Sequence, residues 1–310
     1  MTRFVALALV ALMMTGCRNE PAAETSPEQP AQLAQVDPAA HEQEIRAWQT
    51  RRVDRLKEED SWLTLVGLHW LQPGENSIGS ASGNRIVLPA KAPASAGSLL
   101  VREGAVTLRP DAAMTIAGQP VSGEVPLLAD MDEQGPTLVN IGTIQFQVIR
   151  RAERLGLRVK DSQAETRLNF AGLEFYPIDP KWRVEARLER YDPPKVIPIT
   201  DVTGTTAENI SPGALVFTHD GQEHRLDPIL EDGRLFIIFK DETSRDTTYP
   251  AGRYLYADMP EGDAPVIVEF NRAYNPPCAF TDFATCPLPP PQNRVAVRIE
   301  AGEKKYALAH

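Results

Sequence analysis

The sequence predicts a mainly β protein, built as two packed β-sandwich or barrel-like modules with one N-terminal helix. Short runs of alternating apolar and polar residues are separated by Gly and Pro, with turn signals roughly every 8–12 residues, which is the spacing of sandwiches and barrels. The 27 prolines among 310 residues favour loops and edge strands over long helices. Apolar residues make up 42% of the chain and charged residues 24%, so the chain is able to build a core and is not globally disordered.

The negative net charge of the chain argues against one class of partner, nucleic acids. The chain carries 32 Lys+Arg against 42 Asp+Glu, a formal net charge of −10, and it has no run of basic residues. A nucleic-acid-binding protein needs a basic face to neutralise phosphates, so we expect no nucleic-acid partner. At roughly 100–200 residues per domain, the length allows one large domain or two modest ones.

The first segment, residues 1–17, has the pattern of an export signal. Arg3 supplies the positive start, and the uncharged apolar run over 4–14 is too short to span about 30 Å of hydrocarbon. The small residues directly before Cys17 resemble the lipobox of bacterial lipoproteins, with Met14 where that pattern prefers Leu. The resemblance implies cleavage before Cys17 and lipid, including palmitate, on that cysteine. The alternative is an ordinary secretory signal with a chance Cys.

The same resemblance implies a location. The protein would be exported and held in the cell envelope by its lipid, so the membrane is an expected partner. Arg18, in place of the Asp that retains lipoproteins in the inner membrane, indicates the outer membrane facing the periplasm if the organism is Gram-negative. Residues 18–40 are rich in Pro, Ala, Glu, Gln and Ser and poor in aromatic and β-branched residues, which predicts a disordered tether.

The folded part is predicted to begin with a helix over 41–60. Ile45, Trp48 and Leu56 recur at helical spacing with charges between them, and Trp48 and Leu56 are expected to pack on the body. This helix and an N-terminal β module occupy 41–175, with strands expected at 85–88, 105–108, 114–116, 144–149 and 157–159. A C-terminal β module with a Pro/Cys loop occupies 176–310, with strands expected at 184–188, 215–217, 225–226, 235–239, 253–256 and 266–270.

The layout of residues 78–121 resembles a forkhead-associated sandwich in outline. It contains Ile78-Gly79-Ser80, a Gly-Asn pair, a strand, a loop and further strands. Ser80 stands where that family has the Arg that grips phosphothreonine, and no Ser-x-x-His follows. The resemblance therefore implies the architecture of the first module and not the phosphopeptide function.

The C-terminal third carries the most specific motifs. They are Phe239-Lys-Asp241, Tyr249-Pro-Ala-Gly252-Arg253, Glu269-Phe-Asn271-Arg272-Ala-Tyr274-Asn275-Pro-Pro-Cys278 and Gln292-Asn293-Arg294. With Gly67-Leu68-His69-Trp70-Leu71 upstream, they resemble the bacterial family called domain of unknown function 1684 over about residues 45–305. The resemblance implies no reaction, substrate or cofactor, so the candidate residues are interpreted from their own chemistry.

Cys278 and Cys286 remain as a pair once Cys17 carries lipid. An even number of cysteines in an exported protein predicts a disulfide, here within a proline-rich loop. A metal site is a weaker interpretation because no His lies in this stretch. A thiolate nucleophile is the third, and it would need His69 or Arg253 close in space.

Asp241, Tyr249 and Arg253 fall within one short segment. Such a group is able to bind a carboxylate, a phosphate or a sugar, or to pin its own loop through an Asp–Arg pair. His69, in an apolar run, is either a core residue or a catalytic or ligand-binding one. A turn at Asp220-Gly221 predicts a hairpin that pairs His219 with Gln222 and Phe217 with His224, either as an exposed turn or as a metal site.

Asn271, Arg272, Tyr274 and Asn275 lead into the proline-rich loop. Successive prolines lose little entropy on ordering, which suits a preformed pocket wall and a structural clasp equally. Strand alternation puts Glu269 and Asn271 on one face and Arg272 and Tyr274 on the other.

The leading hypothesis is a cell-envelope lipoprotein of uncharacterised activity that binds a small polar or anionic ligand. One alternative is a hydrolase with His69, Asp241 or Glu269 as general base in a pocket with Tyr249, Arg253 and Arg272. Another is a structural interaction module. The sequence lacks serine-hydrolase, zincin, P-loop and dinucleotide-binding motifs, and neither a metal nor a cofactor is expected.

Overall fold

The computed structural model describes residues 37–306 of the chain. The predicted signal, the predicted lipidation site Cys17 and residues 18–36 of the predicted tether lie outside these residues. None of the helices within the described part is long and apolar enough to cross a membrane.

Helix α1 spans Pro38–Lys57, so it begins and ends slightly earlier than predicted. The Asp37 carboxylate accepts a hydrogen bond from the Ala39 N–H at 3.0 Å and caps the helix. Pro38 takes the first helical position, where a missing N–H costs nothing. The helix buries Ile45 and Leu56, and a second, four-residue helix α2 spans Glu165–Leu168.

The rest of the described chain is mostly strand, and the strands form four sheets. In chain order they are β1 (Leu65–Trp70), β2 (Gly74–Gly79), β3 (Ile86–Val87), β4 (Gly97–Arg102), β5 (Ala105–Pro110), β6 (Thr115–Ile116), β7 (Gln119–Pro120), β8 (Val125–Leu127), β9 (Val139–Ile141), β10 (Ile144–Arg151), β11 (Arg154–Asp161), β12 (Arg183–Thr200), β13 (Thr206–His219), β14 (Gln222–Leu226), β15 (Ile229–Glu231), β16 (Arg234–Phe239), β17 (Arg253–Asp258) and β18 (Val266–Glu269).

The first module is a sandwich. One sheet has the order β1-β11-β10-β9-β6-β7, and the other has the order β3-β2-β4-β5-β8. Alternate residues of both sheets, among them Leu99 and Leu157, meet in one apolar core. Strand β11 is buried on both faces, because Leu157 lies in this core while the opposite face carries Arg158.

The second module is also a sandwich, with sheets β14-β13-β12-β18 and β15-β16-β17. Phe217 and Leu255 belong to its separate core. The β13–β14 hairpin has the predicted register, because Asp220 and Gly221 both have positive φ and allow the two-residue turn. The predicted fold class is confirmed: the protein is mainly β, with two modules and one N-terminal helix.

Two smaller apolar clusters join the modules. In one, Leu65 packs with residues of β16, β17 and the 284–286 segment. In the other, Leu56 and Leu63 pack with Ala279 and Phe280. The proline-rich segment therefore lies between the two sandwiches.

The chain leaves strand β18 earlier than alternation predicted. A 3-10 turn spans Phe270–Arg272, and the Glu269 side chain accepts a hydrogen bond from the Asn271 N–H at 3.2 Å. Since a 3-10 turn does not alternate faces, the predicted two-face arrangement of residues 269–274 is wrong.

Candidate functional site

A cavity of about 390 Å³ lies where the two modules meet, and we call it the central cavity. Its volume is within the range of small-molecule sites. Its lining comes from α1, from the first module and from the proline-rich side of the second. The lining residues are Arg52, Trp62, Arg151, Arg158, Glu231, Phe236, Tyr254, Tyr256, Tyr274, Asn275, Pro277, Ala284, Thr285, Cys286 and Pro287.

Arg158 is the most unusual residue of this lining. Its side chain is only 7% exposed, yet it forms no salt bridge within residues 37–306. Its contacts are a long one from Nη2 to the Thr285 hydroxyl, 3.5 Å, and the face of Trp62, 5.3 Å from the guanidinium carbon. Its Nε is buried without a hydrogen-bond partner. Burial, followed by the positive charge of Arg151, lowers the pKa of Arg158 to about 10, so it stays charged at neutral pH.

The other two arginines of the cavity are neutralised. Arg52 Nε donates to a carboxylate oxygen of Glu303 at 2.8 Å. Arg151 Nη1 donates to Asp130 at 2.8 Å, and its Nε donates to the Thr285 hydroxyl. The cavity therefore holds one guanidinium without a carboxylate partner in the described residues.

An aromatic wall from the second module also lines the central cavity. Tyr254 and Tyr256 alternate onto the same face of β17, and Phe236 of β16 packs against both, with ring centroids 5.0 and 4.6 Å away. The Tyr254 hydroxyl donates to the Pro287 carbonyl at 2.8 Å, and the Tyr256 hydroxyl donates to Glu231. The hydroxyls are thus used within the protein, and the ring surfaces remain to line the cavity.

Asn275 is fixed from several sides. Its N–H donates to Glu303 at 2.8 Å, its amide Nδ2 donates to the Lys304 carbonyl at 2.8 Å, and its own carbonyl accepts from Arg52 at 3.0 Å. The bond to Lys304 sets the orientation of the amide, so Oδ1 is an acceptor. This oxygen is buried and has no partner.

The structure brings three sequence-predicted residues to the central cavity: Tyr274, Asn275 and Cys286. Burial raises the pKa of Tyr274 well above its ordinary value, so its hydroxyl stays protonated. His69, Asp241, Tyr249, Arg253, Asn271, Arg272 and Cys278 do not line the cavity.

Asp241 and Arg253 form a fully buried ion pair inside the second module, 3.3 Å apart. Arg253 Nη2 also donates to the Ile299 carbonyl at 2.8 Å, and Nη1 donates to the Ala301 carbonyl. Asp241 accepts the Thr243 hydroxyl at 2.7 Å and the Ile299 N–H at 2.8 Å. This is the loop-pinning arrangement that the sequence left open beside ligand binding.

The remaining predicted residues also make contacts within the protein. Asn271 Nδ2 donates to Glu269 at 2.7 Å, and Arg272 pairs with Glu44 of the helix. The Tyr249 hydroxyl donates to the Cys278 carbonyl at 2.8 Å. His69, half-buried on β1, has its pKa lowered by burial.

Cys278 and Cys286 are free thiols in the structure, and the disulfide between them stays a prediction. The Cys278 N–H donates to Cys286 Sγ at 3.0 Å. A hydrogen bond from the Cys286 thiol lowers the pKa of Cys278, and the same contact together with burial raises the pKa of Cys286. Within residues 37–306, no group of three His, Cys, Asp or Glu side chains is placed to hold a metal ion.

The sequence analysis does not identify Arg158 or the tyrosines of β17 as site residues. It predicts Tyr254 and Tyr256 only as part of a strand. Arg158 does carry a signal, because it is a charged residue between Leu157 and Val159 in an apolar run. The sequence does not show that residues far along the chain, from Glu231 to Pro287, line the same cavity as Arg158.

Residues 168–304 match the model of the family described as protein of unknown function (DUF1684). This match supports the family resemblance. No curated protein matches the chain. The solution structure of an uncharacterized protein from Haloarcula marismortui is similar at 31% identity, over 46% of this chain and 81% of that one, with a TM-score of 0.39. The crystal structure of the FhaA FHA domain is similar at 17% identity, over 30% of this chain and 97% of that one, with a TM-score of 0.21. Both TM-scores are below 0.5, so neither structure indicates how this chain is arranged.

Proposed function

We propose that this protein is an exported lipoprotein that binds a small anionic ligand in the central cavity, with Arg158 holding the negative charge. The observation that carries the proposal is a buried guanidinium with no carboxylate partner among the described residues. Taking an ion out of water costs several kcal/mol unless a partner compensates it. A bound anion would supply that partner.

The charged groups around Arg158 also support anion binding. The nearby carboxylate of Asp130 is already paired with Arg151, and the Glu303 carboxylate is paired with Arg52. An incoming carboxylate or phosphate group would therefore meet one guanidinium free to form charge-assisted hydrogen bonds. The hydrolase alternative lacks a comparable gathering, since His69, Asp241 and Glu269 lie outside the cavity lining.

The proposed location rests on the lipobox-like residues before Cys17. Lipid on Cys17 would tether the binding module to the membrane, in the outer membrane facing the periplasm if the organism is Gram-negative. We expect Cys17→Ser to lose the lipid mass and to leave the membrane fraction. A variant that stays in the membrane fraction would contradict the anchor.

Binding is tested by calorimetry on the full chain in a non-ionic detergent. The probes are acetate, benzoate and inorganic phosphate. We expect at least one of them to bind the wild-type protein and to bind Arg158→Met roughly 10- to 100-fold more weakly, the loss of one charge-assisted contact.

Arg154→Met is the matched control. Arg154 lies on the same strand and face as Arg158 but is exposed and stacks on Trp70, 3.6 Å from the ring centroid. The Arg154→Met variant loses a charge of the same kind outside the cavity, so the affinity of this variant for the probes should match that of the wild type. If no probe binds, or if Arg158→Met binds equally well, the proposal is wrong and the structural-module alternative gains.

A further inference from the structure

The central cavity also indicates which class of anion it takes, an inference that rests on the proposed function. We infer that the ligand is an aromatic monocarboxylate whose ring carries a hydrogen-bond donor. Three features of the cavity lead to this class: its charge, its aromatic wall and its unpartnered acceptor.

The charge of the cavity fits a single negative charge. Arg52 and Arg151 are each neutralised by a carboxylate, which leaves Arg158 alone. A second negative charge on the ligand would find no free cation among the lining residues, which also include the carboxylate of Glu231. The planar guanidinium fork also matches a carboxylate in two parallel hydrogen bonds.

The wall of the cavity fits a flat apolar body. Phe236, Tyr254 and Tyr256 present ring surface, and the two tyrosine hydroxyls are already bonded to Glu231 and the Pro287 carbonyl. A polyhydroxylated ligand such as a sugar would bury hydroxyls against these rings without partners, which is costly. An aromatic ring instead gains both burial and ring–ring contact.

Asn275 supplies the third feature. Its Nδ2 is committed to the Lys304 carbonyl, and its buried Oδ1 has no partner. A buried acceptor without a donor is costly, and an O–H or N–H on the ligand ring would satisfy it. The cavity thus combines one charged donor, an aromatic wall and one free acceptor.

The experiment compares probes on the same full-length wild-type protein in non-ionic detergent. The probes are acetate, benzoate, phenyl phosphate, benzamide and the three hydroxybenzoate isomers with their methoxy counterparts. Affinity is measured by calorimetry and by the change in Trp62 fluorescence, with Trp62→Phe to identify that signal.

We expect benzoate to bind at least about tenfold more tightly than acetate, because the ring buries apolar area. Phenyl phosphate and neutral benzamide should bind more weakly than benzoate. At least one hydroxybenzoate should bind about three- to tenfold more tightly than its methoxy counterpart, which lacks the donor.

The outcomes separate this inference from the proposed function. If acetate or phenyl phosphate binds as tightly as benzoate, and Arg158→Met weakens that binding, the ligand class is wrong while anion binding stands. If every hydroxybenzoate binds as tightly as its methoxy counterpart, the ligand needs no hydrogen-bond donor, and the role inferred for Asn275 is wrong. If no probe binds in a way that depends on Arg158, both proposals fail.

Discussion

Arg253 and Arg158 are both buried arginines, and they differ in what surrounds them. The Arg253 guanidinium pairs with Asp241 and donates to two backbone carbonyls. The Arg158 guanidinium has a long contact with the Thr285 hydroxyl and the face of Trp62. Both have an unpartnered Nε, so the distinction lies in the carboxylate and the carbonyls.

The difference teaches how to separate structural charges from binding charges in this fold. Arg253 and Asp241 share a sequence segment, so the chain folds with its ion pair complete. Arg158 lies in a strand of the first module and lines a cavity closed by the second. A buried guanidinium without a carboxylate partner costs stability, and a ligand that supplies a negative charge at the module boundary would explain why the protein keeps it.

The largest expected effect is on the completed pair. Arg253→Met leaves the Asp241 carboxylate buried without its cation and removes the donors to two carbonyls. We expect a loss of about 3–5 kcal/mol in the free energy of unfolding, measured by urea denaturation. Arg298→Met is the control, because Arg298 forms a solvent-exposed pair with Asp246, and exposed ion pairs contribute little to stability. Equal losses in the two variants would contradict the structural role of Arg253.

The second expectation is the opposite behaviour of Arg158. Arg158→Met replaces a buried charge lacking a carboxylate with an apolar side chain of similar length. We expect the free energy of unfolding to stay within about 1 kcal/mol of the wild type or to rise, since apolar replacement of buried ions is often stabilising. A loss of several kcal/mol, as large as that for Arg253→Met, would show that Arg158 is structural and would end the comparison.

Much of the fold was predictable because the signals are local. The alternation in β10 and β11 and the Asp220-Gly221 turn each depend on neighbouring residues, and the strands and the hairpin register follow. The start of α1 was missed although Asp37-Pro38 is a start signal, because the surrounding composition is that of a tether. The strand predicted to continue to Phe270 ended at Glu269, where a side-chain bond to the Asn271 N–H competes with strand pairing.

The site was less predictable because it is not local. Tyr274 and Asn275 stand in one of the most specific motifs, and both line the cavity. Arg253 and Asp241 have the chemistry of a binding site, but the fold uses them as an ion pair within the second module. Charge and aromatic type alone do not tell whether a side chain finds its partner in its own module, in the other module or in a ligand.

The third prediction concerns the two cysteines of the proline-rich segment, which lies between the modules. In the reduced protein, the thiol of Cys286 donates to Cys278 and lowers its pKa, so Cys278 has more thiolate at neutral pH. We expect Cys278 to react with iodoacetamide faster than Cys286, whose pKa is raised. Peptide mass spectrometry along a pH series measures both rates.

Cys286→Ala is the informative variant for the thiols. It removes the donor, so the pKa of Cys278 should rise and its alkylation at neutral pH should slow. An unchanged Cys278 rate would contradict the thiol–thiol contact. If the protein is produced through an oxidising export route, is denatured without reduction and takes up no alkyl group, the predicted disulfide is present.

The smallest effect is expected at His69. Burial lowers its pKa, so the folded state disfavours the proton that the unfolded chain takes up below pH of about 6.5. The contribution of neutral His69 to stability is therefore present above that pH and is lost as the pH falls. In urea denaturation, His69→Gln should change the free energy of unfolding by less than about 1 kcal/mol at neutral pH. It should also reduce the loss of stability on the acid side of the stability–pH profile.

The affinity of the His69→Gln variant for benzoate should equal that of the wild type, because His69 does not line the cavity. A loss of benzoate binding in His69→Gln would move the site towards His69 and revive the hydrolase alternative, which needs that imidazole as its base.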